Sequence, residues 1–394
     1  MDINYVAEGE ELRLFFEGHI DSANAKEIED AIGAIRSAGN YSRIVIDCEK
    51  LSYISSAGLR IILRLMKDAV VVSVVNVSPE VYDIFEMTGF TEMVKVSKAF
   101  RKVSVDGCEL VGRGANGTVY RIDPDTIVKV YENPDSLAEI ERERELARKA
   151  FVMGIPTAIP YDVVRVDDKY YGSVFELLNA KSLAKLLAGD PGELDNVLDL
   201  YVGLLKKIHS TQLKKGEMPD CKTTVLSWVE FLKDYLREDL YTKLYSLVEA
   251  VPDDDHLVHG DYHLKNVMLQ DGEALLIDMD TLCLGHPVFE FGAIFNAYCG
   301  YVELDHESIV DFLGIPYETA AEIWDRTVRM YFGTDDEAFI QRVKDKSKIV
   351  GYIRVMRRAI RHGGPGDPEA AAVIENCKKR FDELLPNTDN LEFV

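Results

Sequence analysis

The segment H-G-D-Y-H-L-K-N at residues 259–266 holds the side chains best suited to chemistry in this chain. Asp261 and Asn266 lie five positions apart in a predicted loop, and Asp278 follows at the end of the next apolar run. Phosphoryl transfer needs a carboxylate that orients or deprotonates the attacking hydroxyl, and hard oxygen ligands that hold Mg²⁺ on the phosphates. Asp261 suits the first task, and Asn266 and Asp278 suit the second. Each residue taken alone also fits a structural role, as a loop cap, a turn former or a strand end.

A glycine-rich segment upstream is suited to binding phosphate. It reads G-R-G-A-N-G-T-V over residues 112–119, between two predicted strands. Glycines let a tight loop bring its N–H groups close to phosphate oxygens, although the same pattern also occurs in plain hairpins. A position between two strands argues against a Rossmann site and favours a flap that covers phosphates.

Lys129 follows on the next predicted strand, between β-branched residues. Such a lysine is either exposed at a strand face or a buried ammonium that pairs with phosphate and a carboxylate. The helix predicted after it offers four carboxylates, Glu139, Glu141, Glu143 and Glu145. We select Glu143, which precedes Leu146 by three positions and so lies on the inner edge of the helix.

Ser55 and Ser56 lie where a predicted strand meets a predicted helix. A hydroxyl at a helix N-terminus usually caps it by accepting a backbone N–H. The alternative is a phosphate acceptor, because unpaired N–H groups and the helix dipole stabilise negative charge there. From spacing alone, capping is the commoner role.

Strand and helix patterns divide the chain into two parts. Residues 1–100 follow the order β-β-α-β-α-β-α, which predicts a small α/β layer domain. Residues 101–394 begin with strands and become mostly helical after Asn179. This order predicts an α+β unit with a β-rich lobe at about 101–178, an α-rich lobe at about 179–394 and a cleft between them.

Composition excludes several kinds of protein. Formal net charge is −23, so an acidic surface repels nucleic acid and anionic lipid, and we expect neither as a partner. No apolar run approaches the ~20 residues that span a bilayer, and the acidic first residues lack a signal-peptide core, so we expect a cytoplasmic protein. The six cysteines are scattered without a C-x-x-C pair, and we expect reduced thiols rather than a disulfide framework or a zinc site.

Taken in order, the glycine loop, the strand lysine, H-G-D-x-x-x-x-N and I-D-x-D resemble the protein-kinase-like superfamily. They look most like its aminoglycoside/choline phosphotransferase branch, over about residues 105–300. The resemblance implies ATP and Mg²⁺ as cofactors, Asp261 as catalytic base, and Asn266 and Asp278 as metal ligands, with Asp280 as a further candidate. It also implies that Lys129 holds nucleotide phosphates and pairs with the helix glutamate.

The same resemblance implies a set of nucleotide-binding positions, in which residues 174–178 form a hinge that lends backbone groups to adenine. Besides Lys129, the set is Gly112, Gly114, Asn116, Gly117, Val119, Glu143, Glu176 and Leu178. The D-F-G and A-P-E elements of protein kinases are absent, and only a dozen residues separate Asp278 from Glu290, where helix resumes. That spacing leaves no room for a peptide platform, so it favours a small alcohol or amine, or a protein serine presented by docking.

Two charged groups remain to be assigned. Acidic runs at 253–255 and 303–307 would suit the wall of a cleft for a cationic substrate, although solvated loops are their commoner role. Four basic residues follow one another at helical spacing, and we call them the arginine cluster: Arg354, Arg357, Arg358 and Arg361. We expect the arginine cluster to pair with acidic helices at the surface.

The first hundred residues resemble the STAS fold of anti-sigma factor antagonists. The matching segments are GHID at 18–21, LSYISSAGLR at 51–60, VNVSPEV at 75–81 and FEMTGF at 85–90. In that family the serine matching Ser56 is phosphorylated by a partner kinase, which breaks a partner complex. The resemblance therefore implies a bacterial protein with an anti-sigma factor or another STAS-binding protein as partner, and Ser56 as a phosphorylation site.

These features predict a STAS domain at 1–100 and a kinase-like domain at 101–394 that transfers the γ-phosphoryl group of ATP to a hydroxyl of a small molecule or docked protein. In the alternative, the chain is a partner-switching antagonist whose kinase-like domain binds nucleotide as a regulator or phosphorylates Ser56. An aminoglycoside-modifying enzyme is a third possibility, disfavoured because a resistance enzyme has no evident use for a partner-switching domain.

Overall fold

The computed structural model describes residues 3–67, 71–114, 117–133, 135–214 and 216–393. The chain divides into two compact units between Ser104 and Val105. Within the described ranges, every helix is too short or too polar to cross a bilayer.

The first unit is a five-stranded sheet packed with three helices. Its elements are β1 (Asn4–Glu8), β2 (Glu11–Ile20), α1 (Ala25–Ser37), β3 (Arg43–Ile54), α2 (Ser56–Lys67), β4 (Val71–Val77), α3 (Pro79–Met87) and β5 (Lys95–Lys98), with a short strand β6 (Arg101–Val103) after them. The sheet order is β1-β2-β3-β4-β5, with β1 antiparallel to β2 and the other pairs parallel. Apolar side chains of the strands and of all three helices share one core, in which Ile44 and Ile46 are fully buried.

The second unit begins with an antiparallel sheet and one helix. Its first elements are β7 (Glu109–Gly114), β8 (Gly117–Asp123), β9 (Thr126–Tyr131), α4 (Leu137–Val152), β10 (Pro160–Val166) and β11 (Tyr170–Glu176). These strands follow the order β10-β11-β9-β8-β7, so β9 lies at the centre of the five. Lys129 on β9 is therefore flanked by Val119 of β8 and Ser173 of β11.

Helices dominate the rest of the second unit. The elements are β12 (Lys181–Ser182), α5 (Leu183–Gly189), α6 (Leu194–His209), α7 (Cys221–Leu232), α8 (Glu238–Glu249), β13 (Leu257–Val258), β14 (Val267–Gln270), β15 (Glu273–Leu276), β16 (Cys283–Leu284), α9 (Pro287–Tyr298), α10 (Ser308–Leu313), α11 (Tyr317–Phe332), α12 (Glu337–His362) and α13 (Pro368–Leu384). One continuous apolar cluster joins these helices. A β-rich lobe followed by an α-rich lobe, after an α/β unit, confirms the predicted fold class.

Two glycines let helices α9 and α12 approach closely. A Cβ on Gly292 would lie 2.7 Å from Val350 Cγ1, and a Cβ on Gly351 would lie 2.6 Å from Phe295 Cδ1. Asn296 Nδ2 donates a hydrogen bond to the Gly351 carbonyl across the same crossing, at 3.0 Å. Because this interface is close-packed, the two glycines set where α12 lies against the rest of the lobe.

Cys221 at the start of α7 and Cys283 in β16 form a disulfide, with Cα atoms 5.7 Å apart and a sequence separation of 62. The expectation of reduced thiols is wrong for this pair. The two cysteines meet because a β-bridge joins their neighbours Asp220 and Leu284, a long-range contact that cysteine spacing does not reveal.

Replacing Gly351 with valine should destabilise the second unit. The added side chain meets Phe295 and Asn296, and overpacking of this kind costs about 1–3 kcal/mol. The expected result is a lower midpoint of thermal unfolding, measured by scanning calorimetry. The matched control is Gly203→Ala in the exposed face of α6, where a Cβ meets nothing within 4 Å and should stabilise the helix by about 1 kcal/mol. Equal midpoints for the Gly351→Val variant and the parent protein would contradict the tight crossing.

Candidate active site

Lys129 lies at the centre of an ion pair that joins the two lobes of the second unit. Its Nζ is 2.9 Å from Glu143 Oε1 on α4 and 2.9 Å from Asp278 Oδ1 beyond β15. Burial alone would lower the pKa of Lys129, but the charges of Asp278 and Glu143 outweigh it and raise the pKa above its ordinary value. The ammonium therefore stays charged across the physiological pH range.

Glu143 is the buried glutamate of α4, whereas Glu139, Glu141 and Glu145 are exposed. The period of the helix explains this, since Ile140 and Ala147 on the same face also lie in the core. Both Glu143 oxygens are engaged, because Lys129 lies within 3.2 Å of Oε2 as well and the Tyr131 hydroxyl donates to Oε2. Tyr131 was not selected from sequence, although its place two residues after Lys129 puts it on the same face of β9.

Asp261 lies in the loop between β13 and β14, held between two basic side chains. Arg354 Nη2 is 3.2 Å from Oδ1 and His263 Nε2 is 3.4 Å from Oδ2. Burial alone would raise the pKa of Asp261, but the hydrogen bond from His263 and the charge of Arg354 hold it well below its usual range. The carboxylate is thus ionised, and 36% of its side-chain surface remains exposed to an incoming hydroxyl.

Arg354 belongs to the arginine cluster that we expected to pair with acidic helices. That expectation is wrong for Arg354, whose guanidinium donates to the Gly260 carbonyl at 2.6 Å as well as to Asp261. Sequence reasoning missed this contact because α12 lies more than ninety residues beyond the loop. Helical spacing showed that these arginines share a face, but not what that face meets.

Glu290 at the start of α9 anchors the loop that carries Asp261. The backbone N–H groups of His259 and Gly260 donate to its two oxygens, at 2.6 and 2.9 Å. Burial alone would raise the pKa of this fully buried carboxyl, but the proximity of His209, whose Nε2 is 3.6 Å from Oε2, and of His259 lowers it. Glu290 was not selected from sequence as a site residue. The sequence signal for Glu290 was its position about a dozen residues after Asp278, where a helix is predicted to resume.

Gly260 lies where another residue would not fit. Its φ is +80°, and a Cβ there would lie 2.9 Å from the Thr281 carbonyl oxygen. Thr281 also donates its hydroxyl to the His259 carbonyl at 2.7 Å, which draws the two segments together. Glycine in H-G-D therefore allows the backbone conformation that immediately precedes Asp261.

Pairing of β14 with β15 brings Asn266 and Asp278 to one place. The Ile277 N–H donates to the Asn266 carbonyl at 2.9 Å, one residue before Asp278. The Asn266 side-chain nitrogen donates to the Asp261 carbonyl at 3.0 Å, which leaves the amide oxygen as the atom for a ligand. Asp278 adopts φ +64°, a left-handed conformation uncommon for residues other than glycine.

The charges in this cluster fit a divalent cation. Burial, together with the charges of Asp278 and Glu143, raises the pKa of Asp280 to about 7. Burial is the largest cause of this shift, and the charges of Asp278 and Glu143 at this carboxyl each exceed the opposing charge of Lys129. Because carboxylate and amide oxygens are the ligands Mg²⁺ prefers, Asn266, Asp278 and Asp280 are candidate donors for such an ion.

A cavity of about 600 Å³ opens beside these carboxylates and reaches the ends of β7 and β8. Its lining residues are Gly114, Gly117, Tyr131, Glu132, Asn133, Ser136, Glu139, Arg142, Glu143 and Asp280. Gly114 faces Gly117 where the two strands meet, and Gly112 faces Val119. Asn116 lies outside the described residues.

The remaining positions predicted to bind nucleotide lie where the sheet ends. Glu176 is the last residue of β11, and its N–H donates to the Ile159 carbonyl at 3.1 Å. The Leu177 N–H donates to the Asp125 carbonyl at 2.8 Å, and Leu178 follows, half-buried. The N–H groups of Glu176 and Leu177 are thus already hydrogen-bonded within the protein.

Comparison with known proteins finds two family matches. Residues 107–322, more than half of the chain, match the model of the phosphotransferase enzyme family, and residues 3–103 match that of the STAS domain. BtrV of Bordetella bronchiseptica, a provisionally assigned anti-sigma factor antagonist, is 34% identical over 87 residues, which span 21% of this chain and 74% of that protein. Both findings agree with the resemblances that the motifs indicated.

Solved structures similar to this chain include a thermostable mutant of the aminoglycoside phosphotransferase APH(4)-Ia with ADP and hygromycin B. It is 12% identical with a TM-score of 0.49, and the match covers 72% of this chain and 94% of that chain. A choline/ethanolamine kinase family protein from Mesorhizobium loti is 15% identical with a TM-score of 0.47, and the match covers 72% and 88% of the two chains.

Replacing Glu290 with glutamine should destabilise the protein, because the amide would turn an N–H toward one of two buried N–H donors. We expect the free energy of unfolding to fall by about 1–3 kcal/mol, measured by calorimetry. The control is Glu249→Gln, an exposed carboxylate at the end of α8, with an expected change within about 0.5 kcal/mol. If both variants unfold at the same temperature, Glu290 does not anchor the loop.

Proposed function

The chain belongs to the phosphotransferase enzyme family and carries a STAS domain at residues 3–103, and from this premise we propose that its second unit transfers the γ-phosphoryl group of ATP to a hydroxyl acceptor. The observation that carries the proposal is the ion pair of Lys129 with Glu143 and Asp278, which lies beside a cavity and close to the loop of Asp261. This ion pair brings together a cation suited to binding phosphate and carboxylates suited to binding the metal of a nucleotide.

Each part of a phosphoryl transfer has a candidate in this chain. Lys129 would hold nucleotide phosphates under the turn between β7 and β8, and the backbone from Glu176 to Leu178 would receive adenine. Asn266 and Asp278, with Asp280 beside them, would hold Mg²⁺, which offsets the charge of the phosphates during transfer.

Asp261 would receive the acceptor hydroxyl. The acceptor oxygen forms a bond to the γ-phosphorus while the bond from that phosphorus to the bridging oxygen breaks, and ADP leaves. The hydroxyl proton passes to Asp261. Because Arg354 and His263 keep the pKa of Asp261 low, its main task would be to orient the hydroxyl, and it would accept the proton as the new bond forms.

The first unit would bind a partner protein, and we propose that phosphate on Ser56 controls that binding. Ser55 takes the capping position, since the Ala57 N–H donates to its Oγ at 3.2 Å. Ser56 is the first residue of α2 and is exposed, so its hydroxyl lies at the positive end of a helix that favours phosphate. Such a protein would act in the bacterial cytoplasm, where ATP is available.

Replacing Asp261 with asparagine should lower kcat by about 10²–10⁴-fold, because the amide cannot accept the hydroxyl proton. The KM for ATP should change little, since Asp261 does not line the nucleotide cavity. ADP release is measured over a panel of hydroxyl acceptors, with removal of Mg²⁺ by EDTA expected to stop turnover and added Mg²⁺ to restore it. The control is Asp271→Asn in the exposed β14–β15 turn, which should keep full activity. Full turnover by Asp261→Asn would exclude Asp261 from the proton path.

Protein isolated from its native cells should carry phosphate on Ser56 and not on Ser52 or Ser55, as read by mass spectrometry of the same peptide. Incubation of purified protein with Mg–ATP identifies the source of the phosphate. If the parent protein is labelled and the Asp261→Asn variant is not, the second unit is the source of the phosphate. If the parent protein is not labelled in vitro, the source is a separate kinase. Absence of phosphate on Ser56 in cells under all growth conditions would refute the proposed control.

A further inference from the structure

The arginine cluster starts at Asp261 and runs away from it along α12. Arg354 touches Asp261, and Arg357 and Arg358 follow one turn later on the same helix. Successive turns of a helix are about 5 Å apart, so the cluster forms a cationic track that leads from the carboxylate toward solvent. Arg358 and Arg361 are exposed, and Arg357 is half-buried.

Aromatic rings support this track on two sides. The Arg357 guanidinium carbon lies 5.3 Å from the Trp228 ring centroid, and that of Arg354 lies 5.9 Å from it. On the other side, the Arg358 guanidinium carbon lies 5.0 Å from the Tyr301 ring centroid. Stacking on rings fixes a guanidinium in place while leaving its N–H donors available to a ligand.

The outer arginines lack carboxylate partners. Across the part of the chain that the structure describes, Arg357, Arg358 and Arg361 make no ion pair. Glu303, a carboxylate two residues after Tyr301, is already bound by Arg380 Nη2 at 2.6 Å. Burial and the neighbouring charges of Arg361 and Arg354 lower the pKa of Arg357, as expected where like charges crowd together without a counter-ion.

Crowded like charges destabilise a helix, and a bound anion would relieve that repulsion. The positive charge of the track also contrasts with the formal net charge of the chain, which is −23. A cationic acceptor approaching Asp261 beside Arg354 and Arg357 would be repelled, whereas an anionic acceptor would be attracted and oriented. The charge along α12 therefore favours an anionic acceptor over the alternative in which acidic runs line a cleft for a cationic substrate.

We propose that the phosphoryl acceptor is a small hydroxyl compound that carries a phosphate or carboxylate group. This inference rests on the proposed function. The hydroxyl lies at Asp261, and the anionic group lies about one helical turn away, ~5 Å along α12, against Arg357 and Arg358. Trp228 and Tyr301 flank the carbon skeleton between them.

The test compares acceptors that differ only in charge. ADP release is measured with glycerol against glycerol 3-phosphate and with ribose against ribose 5-phosphate, and choline and kanamycin serve as cations. We expect kcat/KM at least tenfold higher for the phosphorylated member of a pair. Arg357→Gln should raise the KM for that member by about 10–100-fold, since a hydrogen bond to a charged group is lost, and Arg357→Lys should recover part of it.

The matched control is Arg342→Gln, an exposed arginine of the same helix that lies over Phe339, away from the cluster. It should leave the KM values unchanged. Trp228 supplies a binding readout that needs no turnover, because the other of the two tryptophans, Trp324, is only 5% exposed. Each compound is titrated by fluorescence with a non-hydrolysable ATP analogue bound.

The outcomes separate this inference from the proposed function. Transfer only to neutral or cationic compounds, or equal rates within each pair, overturns the anionic acceptor and leaves phosphoryl transfer standing. A Trp228 response to the phosphorylated compounds that Arg357→Gln removes, without any turnover, supports the anion site and contradicts the transfer. No fluorescence response and no preference in turnover overturns the inference.

Discussion

An ammonium shared by two carboxylates holds the two lobes of the second unit in register. Lys129 and Glu143 belong to the β-rich lobe, whereas Asp278 belongs to the α-rich lobe, 149 residues after Lys129. Lys129 and Glu143 are largely removed from water, which costs several kcal/mol per ion, and their attraction to each other and to the partly exposed Asp278 offsets that cost. Together with the hydrogen bond from the Leu276 N–H to the Pro156 carbonyl, this contact helps to keep the cavity, the candidate metal donors and the loop of Asp261 in their relative places.

Charge in the candidate site is divided into two halves. Asp278, Asp280 and Glu143 form a negative half around one lysine, and burial together with the charges of Asp278 and Glu143 raises the pKa of Asp280. The arginine cluster forms a positive half on α12. Asp261 lies between them, held by Arg354 on one side and His263 on the other. In the proposed function, a nucleotide with its metal would lie at the first half and an anionic acceptor at the second, so charge would sort the two substrates.

Features that depend on the pattern of individual helices and strands were predictable from the sequence. The period of α4 singled out Glu143 among four glutamates, and the alternation of strands and helices predicted both fold classes. Contacts between distant segments were missed for a physical reason, since a periodic pattern tells which face of an element is buried but not what covers it. The anchor at Glu290, the contact of Arg354 with Asp261 and the disulfide at Cys221 all depend on such packing.

In the proposed function, helix α12 would couple the position of the acceptor to that of Asp261, the carboxylate proposed to receive it. Gly351 allows the close crossing with α9, and Arg354 lies three residues later on the same helix, so the crossing helps to place the guanidinium against Asp261. The same turn of α12 begins the arginine cluster. A change in the packing of α12 would therefore alter both the orientation of Asp261 and the position of the acceptor, while Lys129 and Glu143, on other elements, would keep the nucleotide site. In the proposed function, acceptor choice would be separable from nucleotide binding, because the two would depend on different elements of the fold.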